Sequence, residues 1–261
     1  MCLILFSFHQ HPLYKFILTA NRDEFYARKT KAASYWPDHK NIIGGRDLEA
    51  IREDGTCGTW MGMTTTGKIA MITNYRDFKN LKPTAPSRGH LVSDYLIWDV
   101  NPKAYLQMLE KNKNEYNGFN LIIGDVNNLM YFCNYKEGAE KILPGTYGLS
   151  NHLLETPWPK LELAKSKMKY ILYKSTIDPE ELLEMMRDES QASDNLLPET
   201  GISLAKEKAL SSMFIKTNGY GTRSTTVVLV KHSGETVFAE RTYNLNDFSF
   251  ETRRFEFKID D

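Results

Sequence analysis

The chain has 261 residues, with 33 Lys plus Arg balanced by 33 Asp plus Glu, and 41% of its residues are apolar. Neutral balance removes the electrostatic footprint that nucleic acid or an anionic membrane would need, and the apolar share is too high for a disordered chain. Three scattered cysteines, Cys2, Cys57 and Cys133, argue against a disulfide framework and a Cys-rich zinc site and point to a reducing compartment.

The opening MCLILFSFHQH has no basic n-region and no small-residue cleavage site. No apolar run anywhere reaches the ~20 residues of a spanning helix. The expectation is a soluble, cytoplasmic protein without a membrane span. CLILFSF and YKFILTA read as a hairpin turned by HQHPL, and the unbroken apolarity of the first strand predicts burial of both its faces. His9 and His11 lack a third ligand at metal spacing, so that turn is read as exposed.

Residues 26 to 57 read mostly as loop, punctuated by Trp36-Pro37-Asp38, Gly44-Gly45 and Asp54-Gly55. The GGRD stretch within it reads as a tight turn. GTWMGMTTTGKIAMITNYRD reads as a second hairpin with Thr66-Gly67 at its tip. SRGHLVSDYLIW and NPKAYLQMLEKNKNEY have helical spacing, and Asn101 with Pro102 forms an N-cap followed by proline at the first helical position. FNLIIGD and LMYFCNY flank a turn at Val126-Asn127-Asn128. Helices follow from about Trp158 to Tyr173 and from Asp178-Pro179. The stretch 190 to 201 is an excursion, and SLAKEKALSSMFI is helical or loop-like. A last hairpin turns at Ser233-Gly234, and TRRFEFKI is one more strand. Hairpins alternating with paired helices disfavour a βαβ parallel sheet and predict one α+β domain over 1–261, with two antiparallel sheets packed face to face and helices outside.

NRDEF at 21 to 25 places an amide, a guanidinium and two carboxylates behind the apolar strand YKFILTA. Pairing about the first turn puts position 2 roughly opposite position 21. If Met1 is removed, Cys2 carries a thiol and a free α-amine, an attacking group and a base on one residue. Such a nucleophile needs a cation to hold the thiolate, a carboxylate to orient the amine and donors for an oxyanion. Arg22 fits the first role and Asp23 or Glu24 the second. The plain alternative is a buried cysteine beside charges that mark the end of a strand.

LTANRDEFYARKT behind Met1-Cys2, then GGRDLEAIREDGTCGTWMGMTTTGKIAMITNYRD, GTYGLSN and YGTRSTTVVLV, resemble the NRDE family, also called the Transport and Golgi organisation protein 2 family. That family is similar in layout to cysteine N-terminal-nucleophile hydrolases of the choloylglycine and penicillin V acylase kind. The resemblance implies an αββα sandwich and a small-molecule amide substrate, with no cofactor. It assigns Cys2 as nucleophile, Asp23 as the carboxylate on its amine, Asn74 and Asn151 as oxyanion donors, and Arg223 as a late site arginine. The acylases carry their first arginine three residues before the aspartate, where this chain has Ala20; Arg22 stands directly before Asp23 instead. Asn21, Glu24 and Trp60 are candidates for contacting substrate. The same resemblance implies an alternative without turnover, in which the fold carries haem or an acyl lipid.

Overall fold

The computed structural model describes residues 2–259. In chain order its strands begin with β1 (Cys2–Phe8), β2 (Tyr14–Phe25), β3 (Thr30–Tyr35), β4 (Ile42–Ile51), β5 (Cys57–Gly58), β6 (Met61–Thr64) and β7 (Lys68–Asn74). Helices α1 (Gly89–Ile97) and α2 (Pro102–Asn112) follow, then β8 (Phe119–Asp125), β9 (Leu129–Cys133), β10 (Ala139–Ile142) and β11 (Gly145–Leu149). The last part comprises α3 (Pro159–Leu172), α4 (Pro179–Met185), α5 (Leu204–Ala209), β12 (Lys216–Thr217), β13 (Tyr220–Lys231), β14 (Glu235–Tyr243) and β15 (Phe250–Lys258). The fold is α+β with two antiparallel sheets, as expected from the hairpins.

The chain forms two compact units. One takes the chain up to Ala27 together with Pro144–Phe257. Its sheet has the order β11-β1-β2-β13-β14-β15, with β12 beside β13. Helices α3 and α4 cover the face that carries Leu3, Leu5, Ile17, Val227 and Leu229, packing Leu161, Ala164, Met168, Leu182, Leu183 and Met186 onto it. Burying each of these Leu, Ile, Val and Met side chains stabilises the fold by about 1.5–3 kcal/mol. The alternate residues Ile4, Phe6, Phe16, Leu18 and Val228 are buried as well, so both faces of β1 and β2 are shielded, which is what their continuous apolarity requires. Gly148 in β11 lets α3 approach, since a Cβ there would lie 2.6 Å from Leu161 Cδ1.

The second unit takes Arg28–Leu143 and the residues from Lys258. Its sheet runs β10-β9-β8-β7-β6-β4-β3, with β5 beside β4. Helices α1 and α2 bury Leu91, Tyr95, Leu96, Leu106 and Leu109 with Ile42, Ala70, Leu121 and Ile123. Asn101 caps α2, its side chain accepting from Ala104 N at 2.9 Å, with Pro102 behind it, as its sequence indicates.

Two expectations are corrected here. Residues 26 to 57 hold β3 and β4 rather than mostly loop; Trp36-Pro37-Asp38 and Asp54-Gly55 do lie in turns, Gly55 at φ 82°, but Gly44-Gly45 does not. Trp36 to His39 turn β3 into β4 through Trp36 N–H donating to Ile42 O at 2.9 Å. Gly44 and Gly45 lie inside β4 rather than in a turn: a Cβ at Gly44 would sit 2.7 Å from Met61 O, and one at Gly45 2.1 Å from the Trp60 ring. Glycine here marks close approach of neighbours. The HQH turn is also not an exposed loop at His11, which is buried. Its Nδ1 accepts from Leu13 N and Tyr14 N at 3.1 and 3.3 Å, which leaves Nε2–H to donate to Lys174 O at 2.8 Å.

Candidate functional site

β1 and β2 pair in antiparallel register with Cys2 opposite Arg22 and Leu3 opposite Asn21, one residue away from the pairing expected. The offset matters because side chains alternate along a strand. Arg22 shares the Cys2 face, whereas Asn21 and Asp23 point to the face covered by α3 and α4. β2 does not end at Ala20; it runs to Phe25, and Asn21, Arg22 and Asp23 are buried within it.

Each residue of NRDE therefore does something different. Asn21 Nδ2 donates to Met186 O and Met213 O at 2.9 and 2.8 Å, while its Oδ1 accepts from Thr225 Oγ1 at 2.6 Å. It ties the end of α4 and the 213 segment to the sheet. Asp23 Oδ1 accepts from Thr222 Oγ1 at 2.7 Å, and its main-chain carbonyl accepts from Tyr220 Oη at 3.1 Å. Glu24 turns back on the chain, with Oε1 accepting from Phe25 N at 2.8 Å.

The neighbouring strand carries an irregularity at this level. In β13, Thr222 pairs with Asp23 and Ser224 with Arg22, so Arg223 is the extra residue of a β-bulge. Its Nη1 donates to Phe25 O at 3.3 Å. The bulge re-aims Thr222, whose hydroxyl also accepts from Ile215 N at 2.9 Å, onto the Asp23 carboxylate.

On the other side of β1, Ile4 pairs with Leu149 of β11. Continuing that register brings Ser150 and Asn151 to the start of β1. Ser150 Oγ donates to Cys2 O at 3.2 Å and lies 3.4 Å from Asn151 Oδ1. Asn151 is fully buried. The segment behind it is held by Glu155, which adopts a left-handed backbone at φ 63°. Glu155 N donates to Gly148 O at 2.9 Å, and its carboxylate meets Gly148 N and Lys165 Nζ. His152 Nδ1 and Thr156 Oγ1 are 2.9 Å apart, and burial lowers the pKa of that imidazole.

The electrostatics differ from the expectation of a stabilised thiolate. Burial pushes the Cys2 thiol above its usual pKa, and the Asp23 carboxylate adds to the effect. The Asp23 backbone N–H, which donates to the sulfur, and the Arg22 guanidinium pull in the opposite direction without reversing it. Burial therefore favours the protonated thiol here. Burial likewise raises the Asp23 pKa; the Lys160 ammonium opposes this most strongly among its neighbours, with the Thr222 hydrogen bond acting the same way and Glu24 against it.

Cys2, Arg22, Asp23 and Asn151 are thus gathered at one end of one unit, with Arg223 in the bulge beside them. Asn74 closes β7 opposite Phe119, and Trp60 stands against Gly45; both belong to the second unit. Met1, whose removal the expected N-terminal nucleophile needs, lies outside the described residues. Sequence reasoning missed Thr222, Ser150 and Lys160. Lys160 left a trace, since a cation in the first turn of a helix opposes the helix dipole.

A model of the family Transport and Golgi organisation 2 matches residues 1–245. The chain belongs to this family. The human Transport and Golgi organization protein 2 homolog is 37% identical over 99% of each chain, and the Drosophila melanogaster Transport and Golgi organization protein 2 is 28% identical over 93% of this chain and 92% of that one. Among solved structures, a mutant conjugated bile acid hydrolase from Clostridium perfringens aligns over 98% of this chain and 97% of that chain, at 11% identity and a TM-score of 0.41. In this member of the Transport and Golgi organisation 2 family, the NRDE stretch is the inner end of β2, with side chains committed alternately to the two faces of the sheet. No helix among the described residues is long and apolar enough to cross a membrane.

Proposed function

We propose that the Cys2 end of the sheet is an acyl-transfer centre of the N-terminal-nucleophile kind, acting on a C–N amide or related acyl bond of a small molecule. The observation that supports it most is the packing of the Cys2 thiol against the Asp23 backbone amide, with the Asp23 carboxylate buried beside it and Asn151 at the other flank of β1. A thiol that stays protonated needs a base within reach, and the α-amine released by loss of Met1 is on the same residue. The Asp23 carboxylate would orient that amine.

In the reaction, Cys2 Sγ attacks the acyl carbon as its proton passes to the α-amine. The oxyanion is met by Asn151, and the Arg22 guanidinium favours negative charge on the Cys2 side. The C–N bond then breaks, the leaving nitrogen takes the proton from the amine, and a thioester remains on Cys2. Water cleaves that thioester, giving a carboxylic acid and restoring the thiol.

The test is the intact mass of untagged protein before and after treatment with an acylating β-lactone. Ring opening by the thiol adds the whole lactone to the chain as a thioester and a free hydroxyl. Expected are loss of Met1 and one adduct that maps to Cys2. A retained Met1, or label on Cys57 or Cys133 with Cys2 silent, overturns the proposal. Carriage of haem or an acyl lipid without turnover is the alternative, and it predicts binding that survives Cys2→Ala. His11 would not serve such a haem, because both of its ring nitrogens are engaged by backbone groups.

A further inference from the structure

Lys160 is 2% exposed, which is unusual for a lysine. It is the second residue of α3, after Pro159 at the first helical position. Both features work against it. Burial disfavours the ammonium, and the N-terminal end of a helix carries partial positive charge. A lysine placed so needs a compensating negative charge in the interior.

The fold supplies one. Trp158, Leu161 and Ala164 at the start of α3 pack on the sheet face of Leu3, Leu5 and Ile17. Along β2 that face continues from Ile17 through Thr19 and Asn21 to Asp23. Asn21 confirms the direction by its bonds to Met186 and Met213 carbonyls, as does Thr222, which joins Asp23 to Ile215. Asp23 thus lies at the end of this row, on the sheet face that α3 and α4 cover together. Other charged or titratable groups around it are Arg22 and Glu24 on its own strand, Cys2 on β1, and Tyr26 just past β2 with Arg223 of β13 acting on it. Of these groups and Lys160, the Lys160 ammonium acts most strongly on the Asp23 carboxylate.

We infer that Lys160 is a positioning residue of the Cys2 site, keeping the buried Asp23 carboxylate ionised so that it can hold the Cys2 α-amine; this rests on the acyl-transfer proposal above. Lys160 does not touch the reacting atoms. Its contribution is the protonation state of Asp23, so its removal moves the pH at which the site switches on more than it moves the plateau.

The experiment measures the rate of Cys2 acylation by a β-lactone against pH, in protein whose Met1 loss has been verified by mass, for wild type, K160M and K160R. A parallel titration follows the Asp23 side-chain carbon by NMR. Taking away an adjacent opposite charge raises a carboxyl pKa by about 1–3 units. The acid limb of the acylation profile and the Asp23 titration are therefore expected to move up together by about 1 unit or more in K160M, while K160R keeps the wild-type limb. If K160M does not fold, K160Q carries the same comparison. Wild type that labels at Cys2 while the neutral variant gives a coincident acid limb overturns the role of Lys160 alone. Wild type in which Cys2 never labels overturns the acyl-transfer proposal and this inference with it.

Discussion

Two buried charge clusters in the same unit are built on opposite lines. At the outer strands, the Arg241 side chain is 1% exposed and its guanidinium is met from every side. Nη2 holds both oxygens of Glu180 at 2.6 and 2.7 Å, Nη1 holds Glu184, Nε donates to Thr252 Oγ1 at 3.1 Å, and the Phe250 ring lies 3.8 Å away. Its two carboxylates come from α4 and are partly exposed. At the inner strands, burial pushes the Cys2 thiol and the Asp23 carboxylate above their usual pKa, against the pull of nearby cations. A cluster that only holds elements together can settle into complete, partly solvated pairing. Titratable groups held away from their ordinary ranges are what the proposed acyl-transfer site needs for its proton relay.

The contrast can be broken by substitution. Cys2→Ala should abolish β-lactone labelling at the N-terminus while leaving the urea midpoint almost unchanged; residual N-terminal label would place the chemistry elsewhere. Arg241→Ala should do the reverse. Leaving partners of a buried ion pair uncompensated costs about 3–5 kcal/mol, somewhat less here because Glu180 and Glu184 reach solvent, and the folded fraction should still label at Cys2. Asn21→Ala belongs with the structural group despite its place in NRDE. It removes the donors to two buried carbonyls, at about 1–3 kcal/mol for each group left unsatisfied, and denaturant unfolding would read the loss.

Asp23→Asn sharpens the comparison most finely, because the two effects oppose each other. Acylation of Cys2 should fall by about 10²-fold or more if the carboxylate serves the proton relay. Stability should move the other way. A carboxyl whose folded pKa is raised contributes stability that is fully present below its ordinary value of 3.8 and is lost as pH rises through the folded value. The wild type carries that loss at neutral pH, and the asparagine variant does not. Its advantage in thermal melts should therefore be present at pH 7 and shrink as pH falls through the raised Asp23 pKa. An advantage independent of pH would mean that ionisation of Asp23 is not its source.

Much of the architecture can be read along the chain because it is local. Turns at Thr66-Gly67 and Ser233-Gly234 need the left-handed backbone that glycine supplies, and both glycines adopt it, at φ 92° and 86°. The N-cap at Asn101, the helices ending in Leu172 and Met185, and the hairpin about HQHPL likewise follow from side-chain chemistry within a few residues. The same locality explains the failure between residues 26 and 57. Gly44 and Gly45 are strand residues only because Met61 and Trp60 stand against them, and neither neighbour is visible from the glycines.

The site shows this division most closely. Composition, the hairpin and NRDE by themselves determine that Cys2 meets a guanidinium and carboxylates at the end of an apolar strand pair. Which of those groups faces the thiol was decided by a register differing by one residue, since each step along a strand reverses the face. The bulge at Arg223, the fully buried Asn151 just past β11 and the lysine in the first turn of α3 come from segments more than a hundred residues away. Their roles depend on desolvation, and burial is a property of the assembled core rather than of any stretch of sequence.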